Sequence, residues 1–280
     1  MEKYFLLYVL IIFFGLFSVA QRPAPKGKLF IIGGGSRGDV LMDRIIAESG
    51  LHQGGYAIVL PMSSEEPDSS VFYAKQSFLK KGIRHVYGLH FVMGDGYGKQ
   101  KLDSIRRARL IYIPGGDQSR FMRVVKGTEI ERAIHEAYEK GSVVAGTSAG
   151  AAVMSDVMIT GNELKYPAYT STFQHIEADN IETSQGLGLI ENVIIDQHFI
   201  VRSRHNRLIS AVIEFPERKC IGIDESTALL VHGTEAEVVG ESQVIMLENP
   251  DQSRKIQEGK LGAAGLKLTV FLPGDKFQLR

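Results

Sequence analysis

Ser148 stands in VVAGTSAGAAVM, where an apolar stretch enters a glycine-flanked turn and continues into an alanine-rich one. A serine hydroxyl is a poor nucleophile in water. It becomes useful when it is exposed, given a base, and faced by N–H donors where negative charge develops. A sharp strand-to-helix turn supplies the exposure and the donors. Gly146 and Gly150 lack a Cβ, so strained backbone and close approach are open to them. The Ala149 amide, at the expected helix start, points to where an oxyanion would form, and the helix dipole adds to it. The pentapeptide G-x-S-x-G alone also fits a glycine-rich corner with a surface serine; the VVA before it and the AAVM after it favour the nucleophile turn.

A serine of this kind needs a histidine, and spacing cannot choose among the eight present, because triad members meet only in space. His198, in VIIDQHFIVRSRHNRL, stands where an apolar strand gives way to polar residues and a run of arginines. The plainer reading of such a histidine is a hydrogen-bonded structural residue. The orienting acid, sought at another strand end, is Asp224 or Glu225 of CIGIDEST. Neighbouring strand residues face opposite ways, so one of the two can aim at the site, and a solvated acidic turn is the alternative. The order serine, histidine, acid differs from that of α/β-hydrolases and argues against an ordinary esterase.

The elements that must position these groups alternate. KLFIIGG, YAIVLP, HVYGLHF, RLIYIPGG and VVAGTSAG read as strands, and DVLMDRIIAES, SVFYAKQSFLKKG and TEIERAIHEAYEKG between them read as amphipathic helices ending near glycine. This pattern predicts an α/β fold, a mainly parallel sheet covered by helices. From Ile209 onward AVIEF, CIGIDES, TALLVHG, AEVVG, SQVIMLE and LKLTVFL predict antiparallel additions to that sheet. In open parallel sheets ligands bind beyond the carboxyl ends of the strands, where GGGSRGD, MSSEEPDSS, IPGGDQSR, GTSAG and DQHFIVRSRHNR fall.

Other motifs carry less. Gly33, Gly35 and Gly38 have dinucleotide-fingerprint spacing, but YAIVLPM lacks the acidic residue such a unit needs, so the glycines read as a loop beside the catalytic face. The Arg37–Asp39 tripeptide RGD reads as a helix start. Neither HExxH nor a cysteine–histidine cluster occurs, so no metal site is expected. The single cysteine, Cys220, precludes an intramolecular disulfide and reads as a buried strand residue.

The chain has 280 residues, with 32 basic side chains balanced by 32 acidic ones, so no nucleic-acid or acidic-lipid partner is expected. Residues 1–20 carry charge at Glu2 and Lys3, then run apolar to Ser18 and Ala20, which fit a small-residue cleavage pattern. We read 1–20 as a secretory signal peptide, with an uncleaved anchor as the alternative, 21–27 as a linker and 28–280 as one α/β domain. The product would be exported, periplasmic or extracellular, with no stable membrane association after cleavage.

IPGGDQ, GTSAGAAVM, DQHFIVRSRHNRL and GIDESTAL, in this order, resemble the cyanophycinase family of serine peptidases, grouped with dipeptidase E in family S51. The resemblance runs from about Lys28 to the C-terminus. It implies a three-layer sandwich like that of class I glutamine amidotransferases, with serine in place of the cysteine nucleophile, and commonly a homodimer. It implies Ser148 as nucleophile, His198 as base and Glu225 as the acid. It also implies that Gln118, Asp196, Gln197, Arg202, Arg204 and Arg207 contact substrate. From the residues themselves, Ala149 with Gly115 or Gly116 would supply the oxyanion amides, and no cofactor or metal is required.

The family's substrate, cyanophycin, is a polyaspartate backbone with arginine on each side-chain carboxyl through an isopeptide bond, cleaved to β-aspartyl-arginine. Its carboxylates suit Arg202, Arg204 and Arg207, through charge-assisted hydrogen bonds worth about 1.5–3 kcal/mol each, and its guanidinium groups suit Asp196 or Asp117. A solvated helix start is the plainer reading of those arginines. The expected activity is therefore exopeptidase cleavage of cyanophycin or similar β-linked aspartyl peptides. An aspartyl or isoaspartyl dipeptidase is the nearest alternative, and a catalytically silent binding protein a more distant one.

Overall fold

The computed structural model describes residues 24–279 except 95 and 169. The expected leader and the first residues of the expected linker lie outside the described residues. Lys26 and Gly27, from that linker, donate their amides to Glu139 O and Tyr138 O, so this part of it is tied to the protein.

The elements follow in chain order. The first half holds β1 (Lys28–Ile32), α1 (Asp39–Ser49), β2 (Ala57–Val59), α2 (Pro67–Lys80), β3 (Val86–Gly88), α3 (Lys99–Arg107), β4 (Leu110–Ile113), α4 (Gln118–Val125), α5 (Glu129–Lys140), β5 (Val143–Thr147) and the short α6 (Ala149–Ala152). Then come β6 (Val157–Glu163), β7 (Ile181–Gln185), β8 (Val193–Gln197), α7 (His205–Glu214), β9 (Lys219–Ile223), β10 (Thr227–His232), β11 (Glu235–Gly240) and β12 (Val244–Glu248). The chain closes with β13 (Lys255–Gln257), β14 (Lys260–Gly262), β15 (Lys267–Phe271) and β16 (Lys276–Gln278).

The large sheet has the order β16-β11-β10-β1-β5-β4-β2-β3. From β1 to β3 its pairings are parallel, and β10, β11 and β16 add to the other edge antiparallel. Side-chain alternation along β1 divides the layers: Leu29 and Ile31 enter a core shared with α3, α4 and α5, while Phe30 and Ile32 enter one shared with α1 and α2. In α5, Ile130, Ala133, Ile134, Ala137 and Tyr138 make one buried stripe at helical spacing, begun by a Thr128 cap and ended at left-handed Gly141.

The expected antiparallel additions divide in a way that local pattern does not specify. β10, β11 and β16 join the large sheet, whereas β8, β9, β12 and β15 form a second sheet, with β8 and β9 parallel. Ile195, Ile221 and Val244 of that sheet pack into the main core, and Ile194, Cys220 and Ile245 on its opposite face are covered by α7. The AVIEF segment, expected as a strand, lies mostly in α7: Leu208, Ala211 and Val212 bury one helical face, a spacing that a short apolar run hides. Cys220 is fully buried in β9, which pushes its thiol up in pKa. Among the described residues no helix is long and apolar enough to cross a membrane.

Candidate active site

Strand β5 ends between β1 and β4, and the chain turns sharply at Ser148, with φ 53° and ψ −113°. A Cβ on Gly146 would overlap the Gly150 carbonyl, and one on Gly150 would overlap the Ile113 carbonyl, so both flanking glycines are required by close backbone approach. Ser148 N donates to Ile32 O at 3.0 Å, fixing the turn to the end of β1. The Ala149 amide opens α6, where the first amides have no intrahelical acceptor. Gly115 lies against Ser148: a Cβ there would sit 3.8 Å from Ser148 Oγ. Ser63 Oγ steadies the Gly115 turn by donating to Pro114 O and Gly115 O at 2.9 and 3.0 Å.

His198 follows β8 in the second sheet. Its amide donates to Gly33 O at 2.7 Å, joining the end of β8 to the end of β1. That junction sets Nε2 at 2.8 Å from Ser148 Oγ and Nδ1 at 2.6 Å from Glu225 Oε1. A serine hydroxyl on one imidazole nitrogen and a carboxylate on the other is the arrangement that activates a nucleophile: the ring accepts the hydroxyl proton, and the carboxylate holds its orientation and stabilises the imidazolium. Burial lowers the His198 pKa, and the charges of Arg202 and Arg204 lower it further, against the opposing pull of the Glu225 hydrogen bond.

The two adjacent acids face different groups. Asp224 accepts the Ile200 and Val201 amides at 3.0 Å each and the Ser242 hydroxyl at 2.7 Å, so it anchors the turn after His198. Glu225 faces the imidazole. The Gly33–Gly38 loop lies beside them as expected: a Cβ on Gly34 would strike the His198 ring, and one on Gly35 would strike Glu225. Asp39 opens α1, so the RGD tripeptide is a helix start.

Ser148 opens onto a cavity of about 360 Å³. Gly116, Gln118, Gln197, Arg202, Arg204 and Arg207 all line it, together with Arg123, which belongs to none of the sequence motifs. Ser119 and Arg123 are four apart on α4, which begins at Gln118 of GGDQ; that i, i+4 pair on a helix leaving a site loop is the signal present in the sequence. The opposite wall is the bulge in β6 at Thr160–Asn162. Gln118 Nε2 supports it by donating to Ile159 O and Thr160 O at 3.0 and 2.6 Å.

Asp196 departs from the expected substrate contact. Its side chain is fully buried, accepts Arg207 Nε at 2.8 Å and Arg207 Nη2, and lies 3.7 Å from Arg204 Nη1. It is turned to the arginines and away from the cavity, because a buried carboxylate takes the charges that can pair with it. Arg204 is held by Gln197, through its backbone and side-chain oxygens. Asp117, which caps α4 by accepting the Ser119 and Arg120 amides, is the carboxylate that lines the cavity.

The model of peptidase family S51 matches residues 29–239. The chain is 30% identical over 280 residues to a cyanophycinase from Synechococcus elongatus, covering 93% of this chain and 81% of that protein. It is 30% identical over 268 residues to one from Trichormus variabilis, covering 91% and 87%. A crystal structure of a peptidase from an acI-B1 Actinobacterium superposes with a TM-score of 0.66 at 21% identity, covering 90% of this chain and 96% of that one, a likeness of fold. Together with the mixed α/β architecture, these matches make the chain a member of peptidase family S51 and a serine-type peptidase.

Proposed function

We propose that the protein is an exported serine exopeptidase of cyanophycinase type, cleaving aspartyl backbone bonds that carry β-linked side groups. The observation that carries this reading is the hydrogen-bonded series Ser148, His198, Glu225 opening onto a cavity with four arginines and one carboxylate. Ser148 Oγ attacks the scissile carbonyl while His198 Nε2 takes its proton. The amides of Ala149 and of Gly115 or Gly116 hold the oxyanion. As the tetrahedral intermediate collapses, His198 returns the proton to the leaving amine, and a water activated by the same imidazole hydrolyses the acyl-enzyme.

Arg123 and Arg202 have no carboxylate partner among the described residues and suit the substrate's carboxylates. Asp117 suits its guanidinium group. Arg207, neutralised by Asp196, and Arg204, held by Gln197, contribute a rigid donor wall. Export through cleavage after Ala20 and assembly as a homodimer belong to the same proposal; the N-terminal sequence and the solution mass of the native protein test them.

Product release from insoluble cyanophycin and from small α- and β-aspartyl peptides tests the substrate. Release of β-aspartyl-arginine by the wild type and none by Ser148→Ala supports the proposal. Turnover of small aspartyl peptides alone moves the assignment to a dipeptidase, and turnover of none of them removes the substrate class.

A further inference from the structure

Gly115 lines a second cavity of about 300 Å³, while its neighbour Gly116 lines the arginine-rich one, so the two meet at this turn beside Ser148. The second cavity is built differently. Arg37, on the loop that packs against His198 and Glu225, brings its guanidinium 5.7 Å from the centroid of the Tyr112 ring and has no carboxylate partner among the described residues. Tyr112 is 1% exposed, and its hydroxyl has no well-formed hydrogen bond, the Arg37 guanidinium being the polar group that reaches it. A buried hydroxyl without a well-formed hydrogen bond is uncommon in folded proteins and calls for a ligand or water to complete it. Glu66, Ser69 and Ser70, at the start of α2, add one negative charge and two hydroxyls.

One cation, one anion and several hydroxyls around a volume of this size suit a small zwitterion, in contrast to the four arginines of the first cavity. We propose that this second cavity is a subsite for the β-linked, zwitterionic amino-acid group on the next unit of the substrate, across the scissile bond from the group held in the arginine-rich cavity. Arg37 and the Tyr112 hydroxyl take its carboxylate, and Glu66 takes its cationic end. The inference rests on the cyanophycinase-type reading above and deepens it: the enzyme reads two consecutive units, which favours a polymer over a dipeptide.

Binding separates the subsite from the chemistry. In the full chain carrying Ser148→Ala, calorimetry compares β-aspartyl-arginine with its two-unit oligomer. The two-unit ligand binds more tightly, and adding Arg37→Ala weakens its binding about 10- to 100-fold while most of its advantage over the single unit disappears. Tyr112→Phe keeps the ring and its packing, weakens the two-unit ligand about two- to tenfold and leaves thermal stability nearly unchanged, since the hydroxyl it removes makes no well-formed hydrogen bond within the protein. Equal losses for both ligands, or no loss in either variant, overturn the subsite and leave the catalytic reading standing. Failure of Ser148→Ala to bind either ligand overturns the substrate class and the subsite together.

Discussion

Gly34 and the His198 imidazole are in direct apposition: a Cβ on Gly34 would overlap Cε1 and lie 2.6 Å from Nε2 and 2.7 Å from Nδ1. Gly34 also has φ 118°, a conformation other residues adopt only under strain. Gly34→Ala therefore forces either the loop or the imidazole to move. Displacing a catalytic group by about 1 Å costs on the order of 100-fold, so kcat/KM should fall at least that far. Backbone strain of about 1–3 kcal/mol should lower the unfolding midpoint as well. Wild-type kinetics in Gly34→Ala would show that the His198 position described here is not the working one.

Adjacent acids should fail in different ways. Glu225→Gln removes the carboxylate facing Nδ1 and should lower kcat by about 10³- to 10⁴-fold with little change in stability. Asp224→Ala strips the acceptor from two partly buried backbone amides and leaves the Ser242 hydroxyl with Gln243 Oε1 alone, and a donor left unpaired away from water costs up to about 1–3 kcal/mol. Its first symptom should be a lower denaturation midpoint, with activity lost through disorder of the turn after His198. Paired denaturation and kinetic measurements separate the two.

Acid sensitivity follows from the lowered pKa of His198. The base must be neutral to act, and a lowered pKa keeps it neutral further into acid, so the acidic limb of kcat/KM should lie below the ordinary imidazole value of 6.5. Arg202 contributes to that lowering. Arg202→Ala should shift the limb toward higher pH while also raising KM; a limb unchanged or shifted to lower pH contradicts the assignment of His198 as the titrating base.

The legible parts of the site are the local ones. The Ser148 turn declares itself because strand, glycines and helix are contiguous and the steric need is local. His198, 50 residues after the serine, and Glu225, 27 further on, meet it only because the His198 amide bonds Gly33 O across two sheets, and in the sequence their roles rest on family resemblance. The division of the late strands between two sheets is a choice of distant partners that alternation does not encode. Asp196 illustrates the same limit: a carboxylate beside arginines in sequence can face substrate or pair with them, and burial of its strand settles the matter. Arg123 shares its amphipathic helix with Arg120, and only its i, i+4 spacing from Ser119 separates it from a solvated arginine.

The Asp196–Arg207 pair is buried, with Asp196 fully covered. Removing one member of such a pair leaves an uncompensated charge and costs about 3–5 kcal/mol. Asp196→Ala should therefore be strongly destabilised in chemical denaturation. A variant with near-native stability would show that Arg207 has another partner.

Covalent labelling tests the central claim, that Ser148 is the nucleophile activated by His198. The native protein is exposed to a fluorophosphonate and its intact mass and peptide map are recorded beside those of Ser148→Ala and His198→Ala. We expect one adduct, on the peptide containing Ser148, absent from Ser148→Ala and formed far more slowly in His198→Ala. An adduct at another residue, or peptidase activity that survives in Ser148→Ala, would contradict the account.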